Sequence, residues 1–214
     1  ASVNPHMDFR ADGGPSFVVV STARIGGEPE FSKDTVRVGA GYSVPKLVKR
    51  CATAGLAGIE FAEGIPASVG GAIKMNAGWH EGMFGTAVAA FVAVARDGRI
   101  EEVRPDATTF AYRRSPGLGD RCVVSATLRL RADDKEAIAA RMREFREHRT
   151  RTQPTGVKNA GCVFKNPQGD HAGRLIDACG LKGTRIGAAQ VSEVHANFIL
   201  NHGGPPCRAT RALS

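Results

Sequence analysis

The chain has 214 residues, of which 42% are hydrophobic and 23% are charged, and both fractions are typical of globular proteins rather than disordered ones. This length allows one large domain or two modest ones, and no apolar run approaches the roughly 20 residues of a membrane-spanning helix. The net charge of +8 suits acidic small molecules or nucleic acid, but a nucleic-acid groove interleaves basic and aromatic side chains, and only 6% of the residues are aromatic.

The first elements are short strands followed by a helix. Residues 17–20 and 35–38 are short apolar or β-branched runs that are typical of strands. A helix is predicted to begin after Ser43, which suits an N-cap, with Pro45 in its first turn and Gly55 at its end. The apolar residues of that helix recur with a helical period at Val44, Leu47, Val48, Cys51 and Ala52.

A hairpin and a further strand are predicted downstream. Residues 89–95 are small or β-branched and run into Asp97-Gly98, a typical hairpin turn, so residues 100–103 are expected to form the returning strand. Residues 121–130 alternate partly between apolar and polar and predict another strand.

A connecting helix is predicted at residues 134–150, with Ile138, Met142 and Phe145 along one face. Its arginines are interpreted as a solvated helix face. Residues 152–156 then contain Pro and Gly and break the helix.

We place a first domain at residues 1–132, the connecting helix at residues 133–151 and a second domain at residues 152–214. The second domain is expected to hold a strand near Val163, a helix at residues 172–179 closed by Gly180, and a strand at residues 197–201. The predicted fold class is α+β with two unequal lobes.

The most informative stretch is the glycine-rich centre, residues 58–78, which has almost no bulky side chain between Gly64 and Ala72. Such runs let the backbone approach a ligand closely, and successive free N–H groups can hold phosphate oxygens. Neither the G-x-x-x-x-G-K-[ST] motif nor the G-x-G-x-x-G motif after a strand is present, which excludes a P-loop and a doubly wound dinucleotide site.

Several motifs together resemble the UDP-N-acetylenolpyruvoylglucosamine reductase family. Residues 64–72 with Met75-Asn76-Ala77-Gly78 are similar to its flavin-binding segment, and Gly39-Ala40-Gly41 is similar to a second flavin-contacting turn. Further similar motifs follow in the order of the family, at residues 110–115, 160–167, 172–177, 180–183, 187–189 and 195–198. The resemblance covers about residues 12–204.

The resemblance implies a vanillyl-alcohol-oxidase (PCMH-type) FAD-binding domain followed by a smaller α+β substrate-binding domain. It implies FAD and NADPH as cofactors, and reduction of UDP-N-acetyl-3-O-(1-carboxyvinyl)-glucosamine to UDP-N-acetylmuramate. This step belongs to peptidoglycan precursor synthesis, and so to cell-wall formation, cell shape and cell division. The implied cofactor-binding residues are Gly39, Gly41, Gly64, Ile65, Pro66, Ser68, Val69, Gly70, Gly71, Ala72, Asn76 and Gly78.

The same resemblance assigns two catalytic residues. Arg113 would hold the substrate carboxylate, because a guanidinium stays charged and binds a carboxylate through two parallel hydrogen bonds. Cys162 stands where many members carry the serine that donates a proton, and a thiol, with an ordinary pKa of about 8.5, can do the same. Without the resemblance, these residues would be interpreted as a surface arginine and a small buried cysteine. The implied substrate-binding residues are Tyr112, Lys165 and Asn166.

The chain also departs from the family pattern. The family's catalytic glutamate lies on a strand beyond Ser214, and its role does not transfer to Glu193; the first eleven residues match the family's flavin-binding turn poorly. We therefore expect a chain truncated at both ends, of the subtype without a tyrosine-bearing insertion, with weakened FAD binding and catalysis. Two alternatives stay open: another FAD oxidoreductase of the same fold, and a non-catalytic flavin- or UDP-sugar-binding remnant.

Cysteine usage and the N-terminus bear on the compartment. The five cysteines are odd in number and no two are two residues apart, so neither a disulfide framework nor a metal site is expected. Residues 1–7 lack the pattern of a signal peptide. We expect a cytoplasmic protein whose partners are a UDP-sugar and NADPH, without nucleic acid or membrane.

Overall fold

The computed structural model describes residues 21–79 and 82–203. The described chain forms two compact units, residues 21–146 and residues 147–203. The strand predicted at residues 17–20 lies outside the described residues. The division falls inside the connecting helix, whereas the domain limits at residues 132 and 151 stay predictions.

The first unit is built on a five-stranded sheet with the order β1-β2-β8-β6-β7, in which every neighbouring pair is antiparallel. Two further antiparallel pairs, β3 with β9 and β4 with β5, lie outside it. The strands are β1 Glu30–Ser32, β2 Thr35–Gly39, β3 Leu56–Ala57, β4 Gly78–Trp79, β5 Gly82–Met83, β6 Val88–Val94, β7 Ile100–Val103, β8 Cys122–Arg129 and β9 Arg131–Ala132.

Three α-helices belong to or leave this unit: α1 Val44–Thr53, α2 Val69–Lys74 and α3 Lys135–Thr152. Helix α1 buries the face that its helical period predicts, including Leu47 and Val48. These side chains join one core with the inward residues of β2, β6 and β8, such as Val36, Phe91 and Leu128. Each such fully buried side chain contributes about 1.5–3 kcal/mol relative to exposure.

The predicted elements of this unit are confirmed with small shifts. The strand at residues 35–38, the helix after Ser43, the hairpin around Asp97-Gly98 and the strand at residues 121–130 are all present. Ser43 does precede α1, but its hydroxyl makes no capping hydrogen bond. It instead lies opposite Ser68 in an isolated antiparallel bridge.

The second unit contains a four-stranded antiparallel sheet of order β10-β13-β12-β11 and helix α4. Its elements are β10 Lys158–Cys162, α4 Ala172–Ala178, β11 Arg185–Ile186, β12 Ala189–Val191 and β13 Phe198–Asn201. Helix α4 ends as predicted, with Gly180 at a φ of +69°. The strand predicted near Val163 ends one residue earlier, at Cys162.

Within residues 21–79 and 82–203, no helix is long and apolar enough to cross a bilayer. The same residues contain no group of three or more His, Cys, Asp or Glu side chains placed to hold a metal ion.

Candidate functional site

The two glycine-containing segments that the sequence predicts as cofactor-binding are joined in the first unit. The turn after β2 and the loop before α2 exchange backbone hydrogen bonds, from Gly70 N to Ala40 O (2.8 Å) and from Val44 N to Ala67 O (2.9 Å). A Cβ at Gly70 would lie 2.9 Å from the Cβ of Ala40, so this close packing requires glycine. Residues far apart in the sequence therefore form one continuous surface.

The backbone N–H groups of the glycine-rich loop are mostly satisfied inside the protein. Donors with a protein acceptor include those of Ile65, Ala67, Val69, Gly70, Gly71 and Ala72. In the part of the chain that the structure describes, the N–H groups of Ser43 and Ser68 have no acceptor. Ser68 is the N-cap of helix α2, and its hydroxyl accepts a hydrogen bond from Gly71 N at 3.3 Å. The expected open row of amides is thus replaced by a capped helix, with only a few donors left over.

Burial separates the residues predicted to contact a cofactor into two sets. Gly64 and Pro66 are exposed, and Ile65, Ser68, Gly70 and Gly78 are half-buried. The buried set, which shapes the loop from below, is Gly39, Val69, Gly71, Ala72 and Asn76.

Gly39 and Gly41 make room for the chain itself. A Cβ at Gly39 would lie 2.2 Å from the Cα of Gly26, and a Cβ at Gly41 would lie 2.3 Å from the carbonyl oxygen of Thr22. Both glycines therefore permit the segment before β1 to pack against the end of β2.

Arg113 lies in a tight turn that reaches the glycine-rich centre. The turn is closed by two backbone hydrogen bonds between Ala111 and Arg114, of 2.9 and 3.2 Å, with Arg113 at a φ of +54°. The Arg113 Nη2 donates to the carbonyl oxygen of Gly78 at 2.6 Å, and its Cζ lies 5.1 Å from the centroid of the Tyr112 ring. Arg113, the residue predicted to bind the substrate carboxylate, is thus hydrogen-bonded to a segment predicted to bind the cofactor.

Asn76 connects these two parts from beneath. Its side chain is buried, with a relative exposure of 2%. The Nδ2 donates to the carbonyl oxygen of Ala111 at 3.0 Å, and the Oδ1 accepts from Gly85 N at 2.9 Å. The carboxamide is directed at protein groups rather than at the surface, and the contact between Asn76 and a cofactor stays a prediction.

The second unit places its candidate residues at the end of β10 and in the exposed loop that follows it. Cys162 is exposed and forms no disulfide, which contradicts the alternative of a small buried cysteine. It follows Gly161, which has a φ of +85°, and a break in the β10–β13 register. Lys165 is exposed. Asn166, also exposed, accepts from Ala172 N at 3.1 Å and so caps helix α4.

Two domain profiles match the chain. Residues 153–214 match the C-terminal domain of UDP-N-acetylenolpyruvoylglucosamine reductase, and residues 8–104 match an FAD binding domain. The UDP-N-acetylenolpyruvoylglucosamine reductase of Geobacter metallireducens is 42% identical over 203 residues, which cover 95% of this chain and 67% of that protein. The chain belongs to the UDP-N-acetylenolpyruvoylglucosamine reductase family. The expected α+β arrangement of an FAD-binding domain followed by a smaller domain is confirmed by the same matches.

Other members of the family are similarly close. The UDP-N-acetylenolpyruvoylglucosamine reductase 2 of Symbiobacterium thermophilum is 47% identical over 180 residues, 84% of this chain. The reductase of Legionella pneumophila strain Corby is 44% identical over 194 residues, 90% of this chain. This chain spans 58% and 63% of the lengths of those two proteins. The crystal structure of the Thermus caldophilus reductase matches with a TM-score of 0.75 and 46% identity, over 83% of this chain and 65% of that one.

Two buried glutamates of the first unit form ion pairs with arginines in the part of helix α3 that belongs to the same unit. Arg141 donates to Glu60 Oε1 from Nε (3.0 Å) and from Nη2 (2.8 Å), and Nη2 also reaches Asp133 Oδ2 at 2.7 Å. Arg146 pairs with the buried Glu63 at 2.8 Å. The arginines of α3 were predicted to form a solvated face, but Arg141 and Arg146 make ion pairs with the rest of the first unit. The spacing of charges along α3 did not indicate these pairs.

Asn197 is a second structural residue that the sequence did not single out. Its side chain is 2% exposed, accepts from Phe164 N at 2.9 Å and donates to Phe164 O at 2.8 Å. Its backbone carbonyl accepts from Val163 N at 2.9 Å. Asn197 thereby fixes the loop on which Cys162 and Lys165 lie.

Burial alters the pKa of two groups near these elements. It raises the pKa of the Cys51 thiol to about 12, with the charge of Glu60 adding to the effect, so this thiol stays protonated and inert. Burial lowers the pKa of His195, whose Nδ1 accepts from Asn197 N at 3.2 Å. His195 therefore helps to hold the backbone at Asn197 in the second unit.

Proposed function

We propose that this chain carries out NADPH-dependent, FAD-mediated reduction of the enolpyruvyl ether of UDP-N-acetylglucosamine, giving UDP-N-acetylmuramate for peptidoglycan synthesis. Membership of the family supports the proposal. The structural observation that carries it is the guanidinium of Arg113, held 2.6 Å from the Gly78 carbonyl oxygen at the end of the glycine-rich centre. This contact ties the candidate carboxylate ligand to the candidate cofactor surface.

The described residues fit part of an FAD site. Ser43 and Ser68 lie opposite each other on the two joined segments, and each offers a hydroxyl and an unpaired backbone N–H. Such donors suit the oxygens of a diphosphate. When bound, FAD supplies the hydride relay, accepting a hydride from NADPH and passing it to the vinyl carbon of the substrate.

Arg113 is proposed to bind the carboxylate of the enolpyruvyl group. Hydride addition to the vinyl carbon leaves negative charge on the carbon next to that carboxylate, and a fixed cation stabilises this charge as it develops. A guanidinium has five N–H donors, and the contact with Gly78 uses one nitrogen, so donors remain for two parallel bonds to a carboxylate.

Cys162 is proposed to complete the reduction by donating its thiol proton to the carbon next to the carboxylate, where the negative charge develops. The Cys162 thiol is exposed, so a ligand can contact it. Lys165 would offer its ammonium to the diphosphate of the sugar nucleotide, and Tyr112 and Asn166 would contact the same ligand. The four described cysteines form no disulfide, which supports a cytoplasmic setting.

The proposal is tested by mixing the purified chain with FAD, NADPH and the enolpyruvyl sugar nucleotide, and following the NADPH absorbance. Loss of NADPH that requires all three additions, without consumption of oxygen, supports it. Oxygen-dependent NADPH loss without the sugar nucleotide would favour another FAD oxidoreductase. Saturable binding of FAD or of the sugar nucleotide without NADPH oxidation would favour a binding protein.

A further inference from the structure

The Arg113 turn has an unusual backbone that needs support from elsewhere. Among the described non-glycine residues, positive φ angles occur at Lys33, Asn76 and Arg113, with values of 47°, 41° and 54°. L-residues adopt this region at an energetic cost, least for asparagine and aspartate. Two of these three residues belong to the same cluster, and the side chain of one contacts the turn of the other.

The carboxamide of Asn76 supplies that support from the protein interior. Its donor is directed at the carbonyl of Ala111, the residue that opens the turn, and its acceptor receives the N–H of Gly85. Because the Asn76 side chain is only 2% exposed, water does not compete for these hydrogen bonds. If they were broken, the buried carboxamide would be left without partners. A Cβ at Gly85 would lie 2.8 Å from the Asn76 Oδ1, so glycine at this position lets the backbone approach the carboxamide closely enough for this bond.

We propose that Asn76 is a positioning residue for Arg113: through Ala111 it sets the left-handed turn from which the guanidinium reaches its ligand. The inference rests on the proposed function, because it assumes that Arg113 binds the substrate carboxylate. The link between Asn76 and the turn is independent of that role and can be measured separately.

Two substitutions isolate the side chain from the backbone. Asn76→Gly keeps a residue that adopts positive φ freely and removes the carboxamide. Asn76→Asp keeps an acceptor for Gly85 N but removes the donor to Ala111. We expect either to lower kcat by about 10- to 100-fold, the scale of a catalytic group displaced by about 1 Å, with the KM for NADPH almost unchanged.

Two further variants calibrate this effect. Arg113→Ala gives the full effect of losing the guanidinium. Val36→Ala, which truncates a fully buried side chain on β2, lowers thermal stability without touching the turn.

The decisive readout compares the affinity for the enolpyruvyl sugar nucleotide with that for UDP-N-acetylglucosamine, which lacks the carboxylate. We expect the Asn76 variants to lose the preference for the first ligand, as Arg113→Ala does, while Val36→Ala keeps it. A general loss of structure would weaken both ligands alike. Retention of the wild-type preference in both Asn76 variants overturns the inference, even if the enzyme is active.

Amide hydrogen exchange tests the link between Asn76 and the Arg113 turn without any ligand. Asn76→Gly is expected to speed exchange of the Arg114 N–H, which closes the turn, by about tenfold or more relative to the amides of β8. If the wild-type chain binds neither nucleotide, the proposed function fails and this exchange alone tests the inference. Unchanged exchange at Arg114 and Gly85 contradicts it.

Discussion

Replacing Arg141 by methionine tests whether the start of helix α3 is held in the first unit by the ion pairs of Arg141 with Glu60 and Asp133. The substitution keeps much of the aliphatic stem and removes two hydrogen bonds to Glu60 and one to Asp133. The Glu60 side chain is only 10% exposed and would keep a single donor, the N–H of Gly58 at 2.6 Å. Arg141→Met therefore leaves a buried carboxylate poorly compensated.

The magnitude follows from this burial. Removing one partner of a fully buried pair costs about 3–5 kcal/mol, whereas exposed pairs contribute about 0–1 kcal/mol. Because the Arg141 side chain is 34% exposed, solvent screens part of the interaction, and we expect a loss of about 2 kcal/mol. With a urea m-value of about 2 kcal/mol/M, the unfolding midpoint falls by about 1 M.

The single tryptophan makes the assay local. Trp79 lies on β4 with its ring centroid 5.6 Å from that of Phe145 on α3, so its fluorescence should follow the release of this helix. Glu60→Gln and the double variant complete a mutant cycle, in which we expect a coupling free energy of about 1–2 kcal/mol. A loss below about 0.5 kcal/mol for Arg141→Met, or no coupling with Glu60, would show that this ion pair does not hold the helix in place.

The other predictions concern the second unit and the thiols. Because burial lowers the pKa of His195, the unfolded chain binds its proton more tightly; the free energy of unfolding should fall as pH drops below 6.5 and level off below the folded pKa, and His195→Asn should flatten this slope in urea titrations. Asn197→Ala removes a buried side chain that makes two hydrogen bonds to Phe164, and should cost about 2–3 kcal/mol and change the alkylation rate of Cys162; an unchanged rate would show that the loop keeps its shape without this contact. Cys162→Ser should retain turnover and Cys162→Ala should lose about 10²-fold or more in kcat, so equal rates would contradict the proton-donor role. Cys51, with a pKa raised to about 12, should resist iodoacetamide at pH 8 until the chain is unfolded, as peptide mapping by mass spectrometry would show.

The sequence predicts elements whose signals are local. Helix α1 follows from its apolar period and Pro45, and the β6–β7 hairpin follows from Asp97-Gly98, where the Asp97 carboxylate accepts from Arg99 N at 3.1 Å. Each of these signals lies within a few residues of the element that it specifies, so no tertiary contact is needed to recognise it.

Helix α2 could not be predicted in the same way. It has six residues and begins Val-Gly-Gly, and glycine is a poor helix former. Tertiary packing stabilises it instead, because Val69, Ala72 and Ile73 are almost fully buried and Ser68 caps its start. Interpreted as a loop, this stretch was expected to have free backbone N–H groups. In the folded chain most of these groups donate hydrogen bonds to other protein atoms.

The supporting roles of Asn76 and Asn197 could not be predicted from the sequence, since their partners are distant along the chain. Asn76 bonds to a residue 35 positions away, and Asn197 to one 33 positions away. The pairing of Glu60 with Arg141 spans 81 positions. The family resemblance identified the residues proposed to contact ligands, whereas the structure shows which residues hold some of them in place.

The proposed reaction is best tested by its stoichiometry with FAD present. We expect the chain to form about one UDP-N-acetylmuramate for each NADPH consumed, and Arg113→Ala to lower this rate by about 10²–10³-fold while leaving FAD bound. NADPH consumption without formation of that product, or full product formation by Arg113→Ala, would contradict it.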